Sequence, residues 1–208
     1  MDIRSIKSHH IPLRARVFKR AFDLLISAFG LLVSGWIIIL AWIVTSIETG
    51  QNGFFRQTRV GLNGNSFNVI KLRTMRDDPK FKSTVTTLHD HRITRSGMFF
   101  RRSKIDELPQ LFNVFLGQMS LVGPRPDVPG YADQLKGDDA IILTVRPGIT
   151  GPATLKYSDE EQLLAQQQDP QKYNDEVIYP DKVRLNREYV MNYSFAKDLG
   201  YIWQTLFH

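Results

Sequence analysis

Asp106 and Glu107 stand side by side in the stretch SKIDELPQL at 103–111. Arg101 and Arg102 lie just upstream, Arg125 falls in GPRP at 123–126, and Arg146 in VRPGITGPA at 145–153. Carboxylates beside this much positive charge can do phosphorus chemistry. Arginines and helix N-terminal amides bind phosphate oxygens, and nearby cations keep an acid ionised. Such an acid can take a Mg²⁺-phosphate substrate or attack phosphorus, while its neighbour handles a proton or the metal.

The same stretch also reads as a helix start. Ser103 and Asp106 have the spacing of a capping box, acids in a first turn complement the helix dipole, and Pro109 suits an early helical position. Taken alone, the cap is the stronger reading. The arginines are what favour chemistry.

Such residues need elements to hold them. Apolar positions 108, 111, 112, 115 and 116 follow the i, i+3, i+4 spacing of a helix with one buried face. Residues 53–57 and 67–72 read as two strands of a hairpin around the turn GLNGN at 61–65, with Lys71 and Arg73 near its end. The two Pro/Gly-rich segments cannot be helix interiors, so Arg125 and Arg146 are offered from constrained loops. Residues 77–92 are polar and read as an exposed loop or short helix, where His89 and His91, with no third obvious ligand, read as solvated residues more than as a metal site. The tail is helical in composition to Gln168, breaks at Asp169-Pro170, and resumes over 180–193. Ser194 then caps an amphipathic stretch, 195–207, suited to a membrane surface or to the core.

Upstream, 21–47 reads AFDLLISAFGLLVSGWIIILAWIVTSI, with Asp23 its only ionisable residue. From Leu24 onward this is roughly the 20 apolar residues a bilayer core requires. Basic residues flank both ends: Arg14, Arg16, Lys19 and Arg20 before, Arg56, Arg59, Lys71 and Arg73 after. The positive-inside rule therefore votes for both ends in the cytoplasm, and Ser34-Gly35 near the centre offers a kink at which the segment could turn back. The expectation is a re-entrant hairpin, with a single span as the alternative. Residues 11–19, IPLRARVFK, suit the interface beside anionic headgroups.

With 208 residues, 42% hydrophobic and 23% charged, the chain has enough material for one folded unit plus attachments. It contains no cysteine, which excludes disulfides, thiolate metal sites and cysteine nucleophiles. A formal charge of +6 favours an anionic partner. The arginines sit in Pro/Gly loops, not along one helix face or an aromatic platform, so no nucleic acid is expected.

Several long motifs in order now carry a resemblance: KRAFD at 19–23, GFFRQTRVGLNGNSFNVIKLRTM at 53–75, RRSKIDELPQLFNVFLGQMSLVGPRP at 101–126, and VRPGITGPA at 145–153. Across almost its whole length the chain resembles the bacterial sugar transferases of the small monotopic phosphoglycosyl transferase family. The resemblance implies an α+β protein with two parts: an interfacial segment and re-entrant membrane helix-hairpin over 1–47, and over 48–208 a small, mainly helical cytosolic-face catalytic domain with a short β-hairpin and amphipathic interfacial helices. It implies a place on the bacterial cytoplasmic (inner) membrane with the active site on the cytoplasmic face, and membrane lipid as a partner. Asp106 would attack the sugar-bearing phosphate of a UDP-sugar, releasing UMP, and undecaprenyl phosphate would then take the phosphosugar, the first membrane step of a surface glycan pathway such as exopolysaccharide or lipopolysaccharide biosynthesis. Glu107 would serve proton transfer or Mg²⁺ binding, with Asp106 as the companion metal ligand. Lys71, Arg73, Arg102, Arg125 and Arg146 would contact phosphate. Two departures stand out: members commonly have Ser-Pro where this chain has Ser34-Gly35, and many have a glutamate where Asp127 follows the Pro-Arg-Pro loop. A membrane-tethered adaptor without catalysis and a glycosyltransferase that leaves UDP are the competing expectations, and oligomeric state stays open, a homo-oligomer included.

Overall fold

A computed structural model describes residues 11–77 and 90–207. The polar stretch expected to be a loop or short helix lies mostly outside the described residues, His89 with it. The chain is α+β: one long apolar helix, two small sheets and a set of short helices.

Helix α1 (Leu13–Thr49) begins after Pro12 and stops at Gly50, whose left-handed φ of 68° lets its N–H bond Ser46 O. At 37 residues it is about 55 Å long. Its two faces invert the pattern of a water-soluble helix. Asp23, Ser27, Ser34, Ile38, Ala41 and Thr45 form a buried stripe, whereas Leu25, Phe29, Leu32, Trp36, Ile39 and Ile47 are exposed. Polar groups face protein and apolar groups face outward, a distribution that fits lipid. The helix is long and apolar enough to cross a membrane. The backbone stays helical through Ser34 and Gly35, so no loop separates two helices there. Ser34 Oγ donates to Gly30 O at 2.6 Å, the back-bond expected of a serine at a bend. Without proline every helical N–H is kept, and one glycine costs a helix only about 1 kcal/mol.

Strands β1 (Phe54–Val60) and β2 (Ser66–Leu72) form the expected antiparallel hairpin, Phe54 opposite Leu72. Its turn holds Asn63 and Gly64 at φ 57° and 76°, where these two residue types are favoured. Helix α2 (Arg95–Arg102) and helix α3 (Gln110–Phe115) flank the acid pair. Strands β3 (Ser120–Val122) and β4 (Gly148–Thr150) pair in parallel. The glycines of GPRP and RPGITGP are explained by that pairing: a Cβ on Gly148 would lie 2.1 Å from Gly123 N, and one on Gly123 2.6 Å from Arg146 O. Backbone packs on backbone.

The tail forms α4 (Pro152–Lys156), α5 (Glu160–Ala165), α6 (Pro170–Tyr173), a π-helical turn (Asn174–Ile178), α7 (Tyr179–Met191) and α8 (Phe195–Phe207). The expected break at Asp169-Pro170 is there, with Asp169 capping α6. Helix α8 is divided between core and surface: Tyr201 and Ile202 pack on the core, while Leu199, Trp203, Leu206 and Phe207 are exposed. That core gathers Val69, Val114, Met119, Val122, Ile142 and Tyr189.

The motif KRAFD fastens α1 to this body. Lys19 pairs with buried Asp198 of α8 at 2.6 Å, Arg20 donates to Val114 O and Phe115 O at 2.6 and 2.8 Å, and Asp23 Oδ1 accepts from Leu121 N at 3.0 Å. The other end is fastened too, by Trp42 to Asn52 and Ser46 to Gly53. The predicted buried stripe of α3 is not its buried face. Gln110, Asn113 and Val114 are buried, whereas Phe112, Phe115 and Leu116 are exposed. Only Leu111 packs inward, against α1 at Gly30 and on the core.

Candidate active site

Ser103 does not cap the helix that follows. It closes α2, its hydroxyl donating to Phe99 O at 2.8 Å. Lys104 then turns left-handed at φ 57°, and Ile105–Glu107 make a separate 3₁₀ turn before Pro109 and α3. The sharp reversal presents both acids from a short turn pinned between two helices. Asn113, fully buried, ties that unit to the hairpin: its Oδ1 accepts from Ile70 N at 3.0 Å, and its Nδ2 donates to Asn68 O at 2.7 Å. Residue 71 is thereby brought beside the acids.

Glu107 Oε1 accepts from Lys71 Nζ at 2.8 Å and from Arg125 Nη2 at 2.6 Å. Burial alone would raise this carboxyl, but the two cations outweigh it and hold it well below the usual range. Asp106 is the opposite case. It is 7% exposed, and its Oδ1 has no hydrogen-bond partner among the described residues. Burial, reinforced by the charge of Glu107, pushes it up to about 6 against the pull of Lys71, Arg101 and Lys104. Gln110, one turn on, has a buried and equally unpartnered Nε2. The turn thus holds one acid locked as an anion and one with an uncommitted oxygen.

A wider ring of charge surrounds the pair. Arg59 donates to Pro126 O at 3.0 Å and to Gln57 at 2.6 Å, and burial beside Arg125 lowers it to about 10. Burial pushes Asp127 up to about 6, opposed by Lys182, Arg59 and Arg125. Lys182 pairs with Glu160 at 2.6 Å, and Arg101 pairs with Glu161. Arg59, Glu160 and Lys182 were not among the sequence-derived site residues, since each looks like an ordinary surface charge in the linear chain.

Of the expected phosphate contacts, Lys71 and Arg125 meet at Glu107. The others lie apart. Arg73 is turned to Asn52 O at 2.9 Å and Asp77 at 3.3 Å. Arg102 is exposed in the last turn of α2. Arg146 donates to Gly117 O at 2.7 Å, beyond the end of α3 opposite the acids, where it and Arg20 cover the helix's terminal carbonyls.

Among the described residues no group of three His, Asp or Glu side chains could hold a metal by itself. Mg²⁺ does not need one, since it is commonly held by one or two carboxylates together with substrate phosphates and water. The unpaired Asp106 Oδ1 fits that demand. Glu107 Oε1 already carries two cations.

The chain belongs to the bacterial sugar transferase family, which it matches over residues 14–208. It is 34% identical to the uncharacterized sugar transferase EpsL of Bacillus subtilis, over 91% of this chain and 86% of that protein. Identity is 33% to the UDP-glucose:undecaprenyl-phosphate glucose-1-phosphate transferase of Klebsiella pneumoniae, over 92% of this chain and 40% of that one. An uncharacterized sugar transferase of Haemophilus influenzae is 30% identical over 93% and 41%. The chain spans most of the Bacillus protein and about two fifths of the two longer relatives.

Proposed function

We propose that this chain is a phosphoglycosyl transferase that moves a sugar 1-phosphate from a UDP-sugar to undecaprenyl phosphate through a covalent intermediate on Asp106. The observation that carries the reading is the contrast within the acid pair: Glu107 bound to two cations, Asp106 buried with a free oxygen. A carboxylate of raised pKa is more basic than usual and still mostly ionised at neutral pH, which suits a nucleophile.

In the first step an Asp106 oxygen bonds to the sugar-bearing phosphorus, and the bond from that phosphorus to the bridging oxygen of the diphosphate breaks. UMP leaves with the electron pair. In the second, an oxygen of undecaprenyl phosphate bonds to the same phosphorus and Asp106 departs as carboxylate. Neither step needs a proton. Lys71 and Arg125, held by Glu107, bring positive charge to the phosphate oxygens, as Arg101 and Lys182 would on leaving their glutamates. Mg²⁺, held by Asp106 with Glu107 beside it, would neutralise diphosphate charge. Arg73, Arg102 and Arg146 would reach phosphate only by leaving their present positions.

In this reading the reaction runs at the cytoplasmic face of the inner membrane. Both ends of α1 are fastened to one body, which favours a re-entrant path over a span; any change of direction is a bend within a continuous helix. The exposed Met98, Phe99, Phe112, Phe115 and Leu116 flank the acid pair and would dip into lipid, bringing the site to a lipid-borne phosphate. The product would enter a surface glycan pathway, exopolysaccharide or lipopolysaccharide.

Solubilised protein given undecaprenyl phosphate, Mg²⁺ and a panel of UDP-sugars should release UMP, and Asp106→Asn should release none. UDP release would mean that the sugar alone moves. Release of neither nucleotide would favour a membrane-tethered adaptor.

A further inference from the structure

The last turn of α1 makes a contact that the reaction above does not use. Glu48 lies across the N-terminus of α2: one carboxylate oxygen accepts from Arg95 N at 2.9 Å, the other from Ser96 N at 3.2 Å, and the Ser96 hydroxyl also bonds it. A helix start leaves four N–H groups without intrahelical partners. Here all four are accounted for, and two of them by a residue from another element. Gly97 N goes to the Thr94 side chain at 3.0 Å, and the N–H of Thr94 itself, at the cap, to Thr74 O at 3.0 Å. A carboxylate at this position also matches the positive end of the helix dipole.

The consequence runs along α2. Its Phe100 is buried against Ala41 of α1 and Leu72 of β2, and Ile105, the residue before Asp106, packs on that same cluster. The helix is therefore held to α1 at its start by Glu48 and at its middle by Phe100, and it delivers Asp106 at its end. Thr74, whose carbonyl accepts from Thr94 N at 3.0 Å, and the Arg101–Glu161 pair hold the same helix from other sides, so Glu48 is the polar tie between it and the membrane helix.

We propose that Glu48 is a positioning residue for Asp106: it locks the end of the membrane helix to α2 and so sets where the nucleophile stands. The inference rests on the covalent reading above. It assigns Glu48 no contact with substrate, so its loss should slow the chemical step and leave donor binding nearly unchanged. Misplacing a nucleophile by about 1 Å can cost as much as a hundredfold in rate.

The test compares Glu48→Ala, Glu48→Gln and Thr94→Ala in lipid nanodiscs, using the UDP-sugar that gives most UMP with the unmodified chain. Thr94→Ala removes the side-chain cap on Gly97 N while leaving Glu48 its bonds to Arg95 N and Ser96 N, and thermal unfolding of each variant is recorded alongside. Glu48→Ala should lower kcat at least about tenfold with KM for the UDP-sugar within about twofold. Glu48→Gln, which keeps one acceptor, should fall between it and the unmodified chain. Thr94→Ala should keep kcat within about threefold even where it lowers Tm as much. A kcat for Glu48→Ala within about twofold of the unmodified chain overturns the proposal, as does a loss carried by KM, or an equal kcat loss in a Thr94→Ala protein of equal Tm. If Glu48→Ala does not fold, Glu48→Gln decides, and an unchanged kcat there overturns it. An unmodified chain releasing no UMP from any donor would instead remove the covalent reading.

Discussion

Arg125 Nη2 lies 2.6 Å from Glu107 Oε1, joining the Pro-Arg-Pro loop to the turn that carries Asp106. Lys71 reaches the same oxygen from the hairpin. Three segments distant in sequence are thus gathered by one carboxylate, whose charge is what holds Lys71 and Arg125 together near Asp106.

Glu107→Gln should therefore damage fold and activity together. It leaves two partly buried cations facing a neutral amide, at a cost of about 2–3 kcal/mol. UMP release should drop at least about a hundredfold. Denaturant unfolding and the nucleotide assay measure the two effects on one preparation.

Asp106→Asn should separate them. Burying an ionised Asp106 costs stability, because its folded pKa of about 6 lies above the ordinary carboxylate value. Between those two values the folded chain binds the extra proton, so the fold loses stability as pH rises through this window, and the full cost remains above it. The neutral amide avoids that cost. The variant should be inactive yet more stable by about 1–2 kcal/mol at pH 7.5, read as a higher Tm. The gain should vanish at pH 4.

The UMP burst measured without acceptor should follow ionisation of Asp106. Only the carboxylate attacks, so the burst rate should fall as pH drops through about 6, about tenfold per unit below it. Glu107, held far lower, should contribute nothing in this window. A midpoint near 4 would mean that Asp106 is not buried as described.

Lys104 stands at φ 57°, where a side chain other than that of glycine, asparagine or aspartate is disfavoured by about 1–2 kcal/mol. Lys104→Asn should raise stability by up to about 1 kcal/mol. Lys104→Val, β-branched, should lower it by about 1–2 kcal/mol. Thermal unfolding of the pair checks both signs.

The absence of cysteine makes topology directly measurable. Single cysteines at Leu13 and Gln51, both exposed, should both react with a membrane-impermeant maleimide from the cytoplasmic side. Labelling from opposite sides would establish a span and contradict the re-entrant path.

The hairpin was legible because its turn chemistry is local: Asn63 and Gly64 occupy the left-handed positions that their types foretell. The acid pair and its two cations were legible through motif and charge. The orientation of α3 was not. Phe112, Phe115 and Leu116 have the spacing of a core-facing stripe, and apolar residues left exposed on a helix look the same in sequence as residues that face a core. Ser103 misled for a related reason, since a serine can close one helix as readily as open the next, and only the left-handed Lys104 decides. Arg146 sits in a segment shaped like a phosphate loop, yet its guanidinium answers the carbonyls at the end of α3. Asn113 carried no signal at all, because its partners Asn68 and Ile70 lie more than 40 residues away.

The central claim is that the phosphosugar rests on Asp106 between the two steps. Protein mixed with its UDP-sugar and Mg²⁺ but no undecaprenyl phosphate should gain the mass of one sugar phosphate, and peptide mapping should place it on Asp106 within 103–111. Adding undecaprenyl phosphate should discharge it. A chain that transfers phosphosugar to lipid while never gaining that mass, or that carries it on another residue, would contradict the account.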